Sequence, residues 1–455
     1  MTKQQRLVLV IAILASFVAF LDGSVVNVAL PKMTHELGGG LVAQQWIVDG
    51  YMLTLGALIL LAGSLSDLLG RKRILGIGLM GFGITSILCA LAPNSATVIV
   101  ARMLQGIAGA LLVPSSLALI MSTFSGPAQG KAIGSWTAWT GIAFIIGPLF
   151  GGFLVDAASW RWIFAINVLP IATTLGLLRR VTQADQTRSD TKIDALGAAL
   201  CVLGLGAPVY ALIEGPRYGF ASPAIWLPLA AGAALFGAFI WWERQNQAAM
   251  LPLSLFKIRN FSAGNLATMF IYGALAIATF IISIFLQQVS GYSALRAGLA
   301  LLPITMVMFV LSPRFGALAG KFGSRLFMTI GPLLAAAGFL SMLRAHTHVH
   351  YWSELFPGVL LFALGLSATV APLTSAVLSD IGTQHAGIAS AVNNAVSRVA
   401  GLITVALVGV FTGTHLTVQG FHRTLLYTGI LMAAGGLISW IGIRNTKKTA
   451  QADKH

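Results

Sequence analysis

Charge is what this sequence has least of. Of 455 residues, 28 are Lys or Arg and 13 are Asp or Glu, a charged share of 9%. A soluble domain carries about 25%, so a water-facing surface cannot be covered from this supply. Cysteine is nearly absent too: Cys89 and Cys201 lie in separate apolar runs, which excludes a disulfide framework or a cysteine-based zinc site. His346, His348 and His350 alternate in one loop, too little to build a metal site on. Gly126–Lys131 and Gly316–Lys321 have one residue too few between the glycines and no Ser or Thr after the lysine, so they do not make phosphate-binding loops. No nucleophile stands beside a base in a polar segment. Neither an enzyme nor a cofactor or metal is expected.

What the chain has instead is apolar length: 57% of it is hydrophobic. A bilayer core about 30 Å thick needs roughly 20 apolar residues per helix, and fourteen such runs can be marked: 7–30, 46–65, 74–91, 97–124, 133–155, 160–178, 195–212, 224–242, 261–286, 297–318, 326–343, 355–378, 387–411 and 425–443. Backbone groups cannot stay unpaired in lipid, so each run is expected to be helical. The fold class is therefore an all-α, multi-pass membrane protein. The first run is too long for a signal peptide and holds Asp22, so it reads as an uncleaved first helix.

A net charge of +15 would suggest nucleic acid in a soluble protein; here it follows from orientation. With the N-terminus in the cytoplasm, nineteen basic residues fall inside and six outside, leaving Arg102, Arg314 and Arg398 within runs. Positive charge concentrates on the cytoplasmic side of membrane proteins. Both termini are thus expected to be cytoplasmic, in the cell (inner) membrane.

The chain also repeats itself. Gly63-Ser-Leu-Ser-Asp67-Leu-Leu-Gly70-Arg71-Lys72-Arg73 follows the second run, and Gly316-Ala-Leu-Ala-Gly320-Lys321-Phe322-Gly323-Ser324-Arg325 follows the tenth. Both read Gly-x-Leu-x-x-x-x-Gly with arginine within three residues, and both fall on the same side. The expected division is a six-helix half at 1–180, a linker with two extra helices at 181–260, and a second six-helix half with a tail at 261–455.

These segments carry a resemblance. Gly63 to Arg73 resembles the loop motif between helices two and three of the major facilitator superfamily, with Asp67 at its acidic position. Arg102-Met-Leu-Gln105-Gly106-Ile-Ala-Gly109 is similar to that superfamily's fourth-helix motif. Gly147-Pro148-Leu-Phe-Gly151-Gly152 resembles its antiporter signature, and Leu21-Asp22-Gly-Ser-Val-Val-Asn27-Val-Ala-Leu-Pro31 the first-helix motif of its fourteen-helix drug:proton antiporter branch. Ala143 replaces a common glycine and Gly320 an acid, so only the N-terminal loop keeps the full charge pattern. The resemblance implies two six-helix bundles plus two central helices, and proton-coupled multidrug efflux by alternating access.

Intramembrane charge is costly and marks candidate sites. The deep acids are Asp22 and Asp49, and the deep arginines Arg102 and Arg398. At 1.5 Å per residue, Asp22 is expected about 12 Å from the outer end of its run, and Asp49 and Arg102 about 5 Å in. A carboxylate that holds either a proton or a cationic drug makes the two mutually exclusive, as exchange requires. Asp22 is the first candidate for that role and Asp49 the second; each has the alternative of pairing with Arg102 or capping an irregular helix. Arg102 is expected to reset the proton, with packing or snorkelling as its alternative, and Arg398 to serve the site or to be merely structural. By resemblance, Gly63, Asp67, Gly70, Arg71 and Arg73 form a cytoplasmic gating loop. Gly147, Pro148, Gly151 and Gly152 allow close, kinked packing that seals the halves. Cavity candidates are Asn27, Trp46, Gln105, Asn265, Tyr272, Gln287 and Asn394. The expected cargo is hydrophobic and cationic, monovalent rather than divalent, with protons and the bilayer as the other partners and no nucleic acid. A dedicated metabolite exporter and an uncoupled facilitator remain the alternatives.

Overall fold

The structure is a computed structural model and describes residues 1–182, 193–246, 249–381 and 386–445. Arg188, Lys192, Lys447, Lys448 and Lys454, part of the basic count, lie outside the described residues.

Among the described residues, fourteen helices are long and apolar enough to cross a membrane. They are α1 (Lys3–Leu37), α2 (Gly40–Leu69), α3 (Arg71–Ala90), α4 (Ser95–Thr123), α5 (Ala128–Ala157), α6 (Trp162–Arg179), α7 (Ala195–Tyr218) and α8 (Pro223–Gln245). The second part of the chain gives α9 (Arg259–Val289), α10 (Ala294–Phe322), α11 (Ser324–Arg344), α12 (Tyr351–Leu378), α13 (Gly387–Thr412) and α14 (Val418–Gly442). The number matches the apolar runs; the lengths exceed them, because helices continue through polar ends once their first turns are capped. Thr2 closes a capping box on α1, and Asn94, Ser293 and Thr417 cap α4, α10 and α14 through their side chains. The extra turns matter for depth. Counted from the observed ends, Asp22 stands about 22 Å from the end of α1, Asp49 about 14 Å into α2 and Arg102 about 10 Å into α4. All three are deeper than expected.

The two similar loop segments share one backbone feature. Gly70 ends α2 at φ 99° and Gly323 ends α10 at φ 89°. That region is open to glycine at little cost, and it lets each helix turn sharply into the next. We call the end carrying these two turns the basic face, and the other the opposite face.

α2 packs on α4 within the first half and on α13 across to the second, while α5 packs on α1 and reaches α10. The central pair stands outside this seam: α7 lies against α2 and α13, and α8 packs chiefly on α7. Leu53, Ala57, Cys201, Leu205, Leu402 and Ala406 fill the corner where α2, α7 and α13 meet. Asp194 fixes the hairpin at the basic face, accepting from the Gly197 N–H and the Trp242 Nε1–H, each at 2.8 Å.

Among the described residues, the hydrogen bonds seen between helices α1–α6 and helices α9–α14 lie toward the opposite face. Gln45 Nε2 donates to the Val405 and Ala406 carbonyls at 2.8 and 3.0 Å. Ser283 Oγ donates to the Asn27 carbonyl at 3.2 Å and Gln287 Nε2 to the Val28 carbonyl at 3.0 Å. Asp156 accepts from the N–H groups of Ala294 and Leu295 at 3.1 and 2.8 Å. The apolar core is continuous there too, with Val25 and Val155 in one cluster with Ile281, Ala294 and Ala297. The hydrogen bonds and close packing between α1–α6 and α9–α14 are thus concentrated toward the opposite face.

Candidate functional site

Asp22 is completely buried, and so is its environment. Its Oδ2 accepts from Arg102 Nη1 at 2.5 Å; its Oδ1 accepts from Gln105 Nε2 at 3.2 Å and Asn167 Nδ2 at 3.0 Å. Arg102 also donates to the Gln105 Oε1 at 2.7 Å and the Ile47 carbonyl at 3.2 Å, and its guanidinium lies 4.1 Å from the Tyr51 ring centroid. Ser86 accepts from Gln105 at 2.9 Å, and Cys89 closes the far side. A buried charge pair is tolerable when the remaining donors and acceptors are met; here both Asp22 carboxylate oxygens and the Arg102 Nε and Nη1 groups are met, while the Asn167 Oδ1 has no partner. The helices make this possible: α6 is interrupted at Ile166 and Asn167, which aims the Asn167 amide at the carboxylate. In α4, Arg102 and Gln105 are three apart and share a face.

Asp49 is the reverse case. It too is fully buried, yet neither carboxyl oxygen has a hydrogen-bond partner. It shares a face of α2 with Gln45, Met52 and Gly56, four before and three and seven after it. Those three residues meet α13 at Val405 and Ala406, at Gly401 and at Arg398. Asp49 therefore lies on the seam between the halves, toward the end where they touch.

Arg398 is half-buried on α13, at the middle of that seam. A Cβ on Gly56 would stand 3.1 Å from the Arg398 Cβ, and the guanidinium carbon is 5.8 Å from the Phe20 ring centroid.

The expected cavity residues divide. Tyr272 and Asn394 are half-buried near this central position, and Asn27 is half-buried nearer the opposite face, its carbonyl accepting from Ser283. Gln105 belongs instead to the Asp22 centre, because its amide completes the pairing. Trp46 turns to the central helices, donating to Glu214 Oε1 at 3.1 Å and lying against Tyr210. Asn265 sits in the interior of the second half, donating to the Phe261 carbonyl at 2.8 Å and accepting from Asn393 at 3.1 Å. Gln287 stands in the seam at the opposite face. Residues the sequence reading passed over are Ser86 and Asn167, which complete the Asp22 centre, and Asp156; a census of every polar side chain inside apolar runs finds the first two.

In the loop after α2, Asp67 Oδ1 pairs with Arg71 at 3.0 Å, and Arg71 donates onward to the Ala118 carbonyl at 3.2 Å. Lys72 Nζ donates to the Val181 carbonyl at 2.6 Å. Gly63 has open space beside it. On α5, a side chain at Gly147 or Gly151 would strike Ser24 or Val25 of α1. One at Gly152 would stand 2.7 Å from the Ala294 carbonyl oxygen of α10, and Gly298 of α10 is pressed in turn on the Pro148 backbone. The glycines thus bring α5 against a helix of each half.

The comparisons agree with this architecture. The sequence profile of the Major Facilitator Superfamily matches residues 12–405. The methylenomycin A resistance protein of Bacillus subtilis (strain 168) is 33% identical over 98% of this chain and 96% of its own. The multidrug resistance protein Stp of Mycobacterium tuberculosis is 33% identical over 90% of this chain and 76% of its own. Among solved structures, the peptide transporter POT in complex with sulfate superposes at a TM-score of 0.72 with 14% identity, covering 97% of this chain and 94% of that one. A D-xylose–proton symporter superposes at 0.68 with 17% identity, covering 97% and 98%; at such identities these two speak for the fold alone. With fourteen candidate membrane helices among the described residues and a profile match over most of its length, the chain belongs to the Major Facilitator Superfamily and is a transporter rather than an enzyme.

Proposed function

We propose that this protein is a proton-coupled exporter of hydrophobic, drug-like compounds that works by alternating access between halves 1–180 and 261–455, with 181–260 as an accessory segment. The excess of positive charge at the basic face supports placing that face, with both termini, in the cytoplasm of a cell membrane. On that reading the conformation described above is open to the cytoplasm, and the opposite-face contacts are the ones that break when the cavity turns outward.

One observation carries the coupling: Asp49 is buried on the closing seam with both oxygens unpartnered. An ionised carboxylate without a partner is very unfavourable there, so Asp49 holds a proton while the seam is shut. Opening the seam admits water and alters that balance, which is what a coupling group requires. Asp22, the first candidate from sequence, takes in this reading the structural role of balancing Arg102. The cationic preference expected of the cargo rested on acids facing the cavity; both acids are turned away from it in this conformation. Two relatives named for resistance to single antibiotics, methylenomycin A and puromycin, favour a second reading, the export of one dedicated compound.

The test is transport of a fluorescent drug in reconstituted vesicles with an imposed pH gradient. Asp49→Asn is expected to abolish gradient-driven movement while leaving exchange of drug down its own gradient. Undiminished gradient-driven transport by that variant removes Asp49 from the mechanism.

A further inference from the structure

Arg398 raises a question the coupling scheme leaves open. It is a deep cation, and a guanidinium does not give up its proton in a protein. No Asp or Glu lies within ion-pair distance of it among the described residues. The two deep acids are taken: Asp22 by Arg102, and Asp49 by a position on the closed seam from which it reaches neither arginine. The titratable groups facing Arg398 are the Tyr51 and Tyr272 hydroxyls. Around it stand the Phe20 ring, Gly56 packed closely against its Cβ and, one helical turn away, the half-buried Asn394. A permanent positive charge, an aromatic wall and an amide, with no carboxylate, make a poor seat for a cation and a good one for an acid.

We propose that Arg398 anchors the acidic group of an amphipathic organic anion, an aromatic or alicyclic carboxylate, whose apolar body lies along Phe20 and Tyr272. Arginine's planar fork matches a carboxylate with two parallel hydrogen bonds, and its charge supplies what the site otherwise lacks. The proposal names the cargo of the exporter proposed above and rests on that reading. It also makes the exchange electrogenic: a proton entering and a carboxylate leaving both carry positive charge inward, so the membrane potential drives both. A monovalent cation leaving against one proton moves no net charge.

Equilibrium binding to the full-length protein in nanodiscs tests this with three probes of one shape: 2-naphthoate, 2-naphthamide and 2-naphthylmethylammonium. The wild type is expected to bind the naphthoate about tenfold or more tighter than the amide, with the ammonium weakest. Arg398→Gln should lower naphthoate binding to the level of the amide without changing the amide, and Arg398→Lys should keep part of the preference. The inference is overturned if the wild type holds the amide or ammonium as tightly as the naphthoate, if it binds none of them, or if Arg398→Gln keeps the preference. Should Arg398→Gln not fold, the wild-type order decides alone. Failure here is separable from failure of the exporter reading. Gradient-driven ammonium export without naphthoate preference would sink only the anion site, whereas naphthoate selectivity with gradient-independent transport would sink only the coupling.

Discussion

Each half of the molecule keeps one arginine deep in its interior, and the two are surrounded in opposite ways. Arg102 is sealed, with a carboxylate, a glutamine amide, a backbone carbonyl and a tyrosine ring around it. Arg398 lies on the seam, half-buried, with a phenyl ring and no acid among the described residues. A charge whose partners are all supplied by its own half has nothing left for a ligand. A charge left unmatched where two helix groups meet has everything left for one. Depth in the sequence marks both as candidates, but only the partner list separates a support from a site.

The largest effect expected from this difference is on stability. Asp22→Asn leaves Arg102 buried without its counter-charge, and breaking a buried pair from one side costs about 3–5 kcal/mol. Thermal unfolding of the purified protein in detergent should show that loss. The double variant Asp22→Asn/Arg102→Gln should recover most of it, because the orphaned charge goes too. Arg398→Gln removes a charge that has no partner to strand, and its stability should stay within about 1 kcal/mol of wild type. If Asp22→Asn were as stable as wild type and lost only coupling, the two centres would have to exchange roles.

Access to water comes next. Cys89 is a natural probe of the first centre, fully buried and 3.7 Å from Gln105 Oε1; Asn394, a turn from Arg398, is half-buried beside the opening. N-ethylmaleimide should modify an Asn394→Cys variant readily and Cys89 hardly at all, with mass spectrometry assigning each site. Comparable modification of Cys89 would mean that the Asp22 centre hydrates during the cycle and is no dry support.

Much of this was legible in the chain itself. The fourteen spans follow from apolar length, and the repeat from Gly70 and Gly323, whose shared left-handed backbone explains why glycine stands at both places. The identity of the deep charges was legible as well. Their pairing stood only as one alternative, which the structure takes up at Asp22: the hydropathy of α4 does not say whether Arg102 turns to α1 or to the cavity, and Asn167 meets Asp22 where α6 breaks beside it. Depth was misjudged for a physical reason, since a capped helix runs on past its apolar stretch. The same gap hid Asp156, which at the sequence level is one more acid at a helix end and becomes informative only opposite α10.

Asp156 offers the smallest and most particular test, because it bears on how long the Arg398 position stays open to the basic face. Its carboxylate accepts from two N–H groups in the first turn of α10, across the seam, where the positive end of the helix dipole favours an anion by about 0.3–1 kcal/mol. That contact exists only while the opposite face is shut. Asp156→Asn keeps an acceptor but loses the charge, so the population with that face open should rise about two- to fivefold. Ser283, wholly buried and hydrogen-bonded across the seam to Asn27, reports on that population when replaced by cysteine. In an Asp156→Asn/Ser283→Cys protein, alkylation at position 283 should accelerate by the same factor over Ser283→Cys alone, while salt, which screens the Asp156 charge that only the latter keeps, narrows the difference. An unchanged rate would show that Asp156 merely caps α10 and that the seam is held by Gln45, Gln287 and the close packing of Gly152 on Ala294, leaving the exposure of Arg398 to be set by packing rather than by charge.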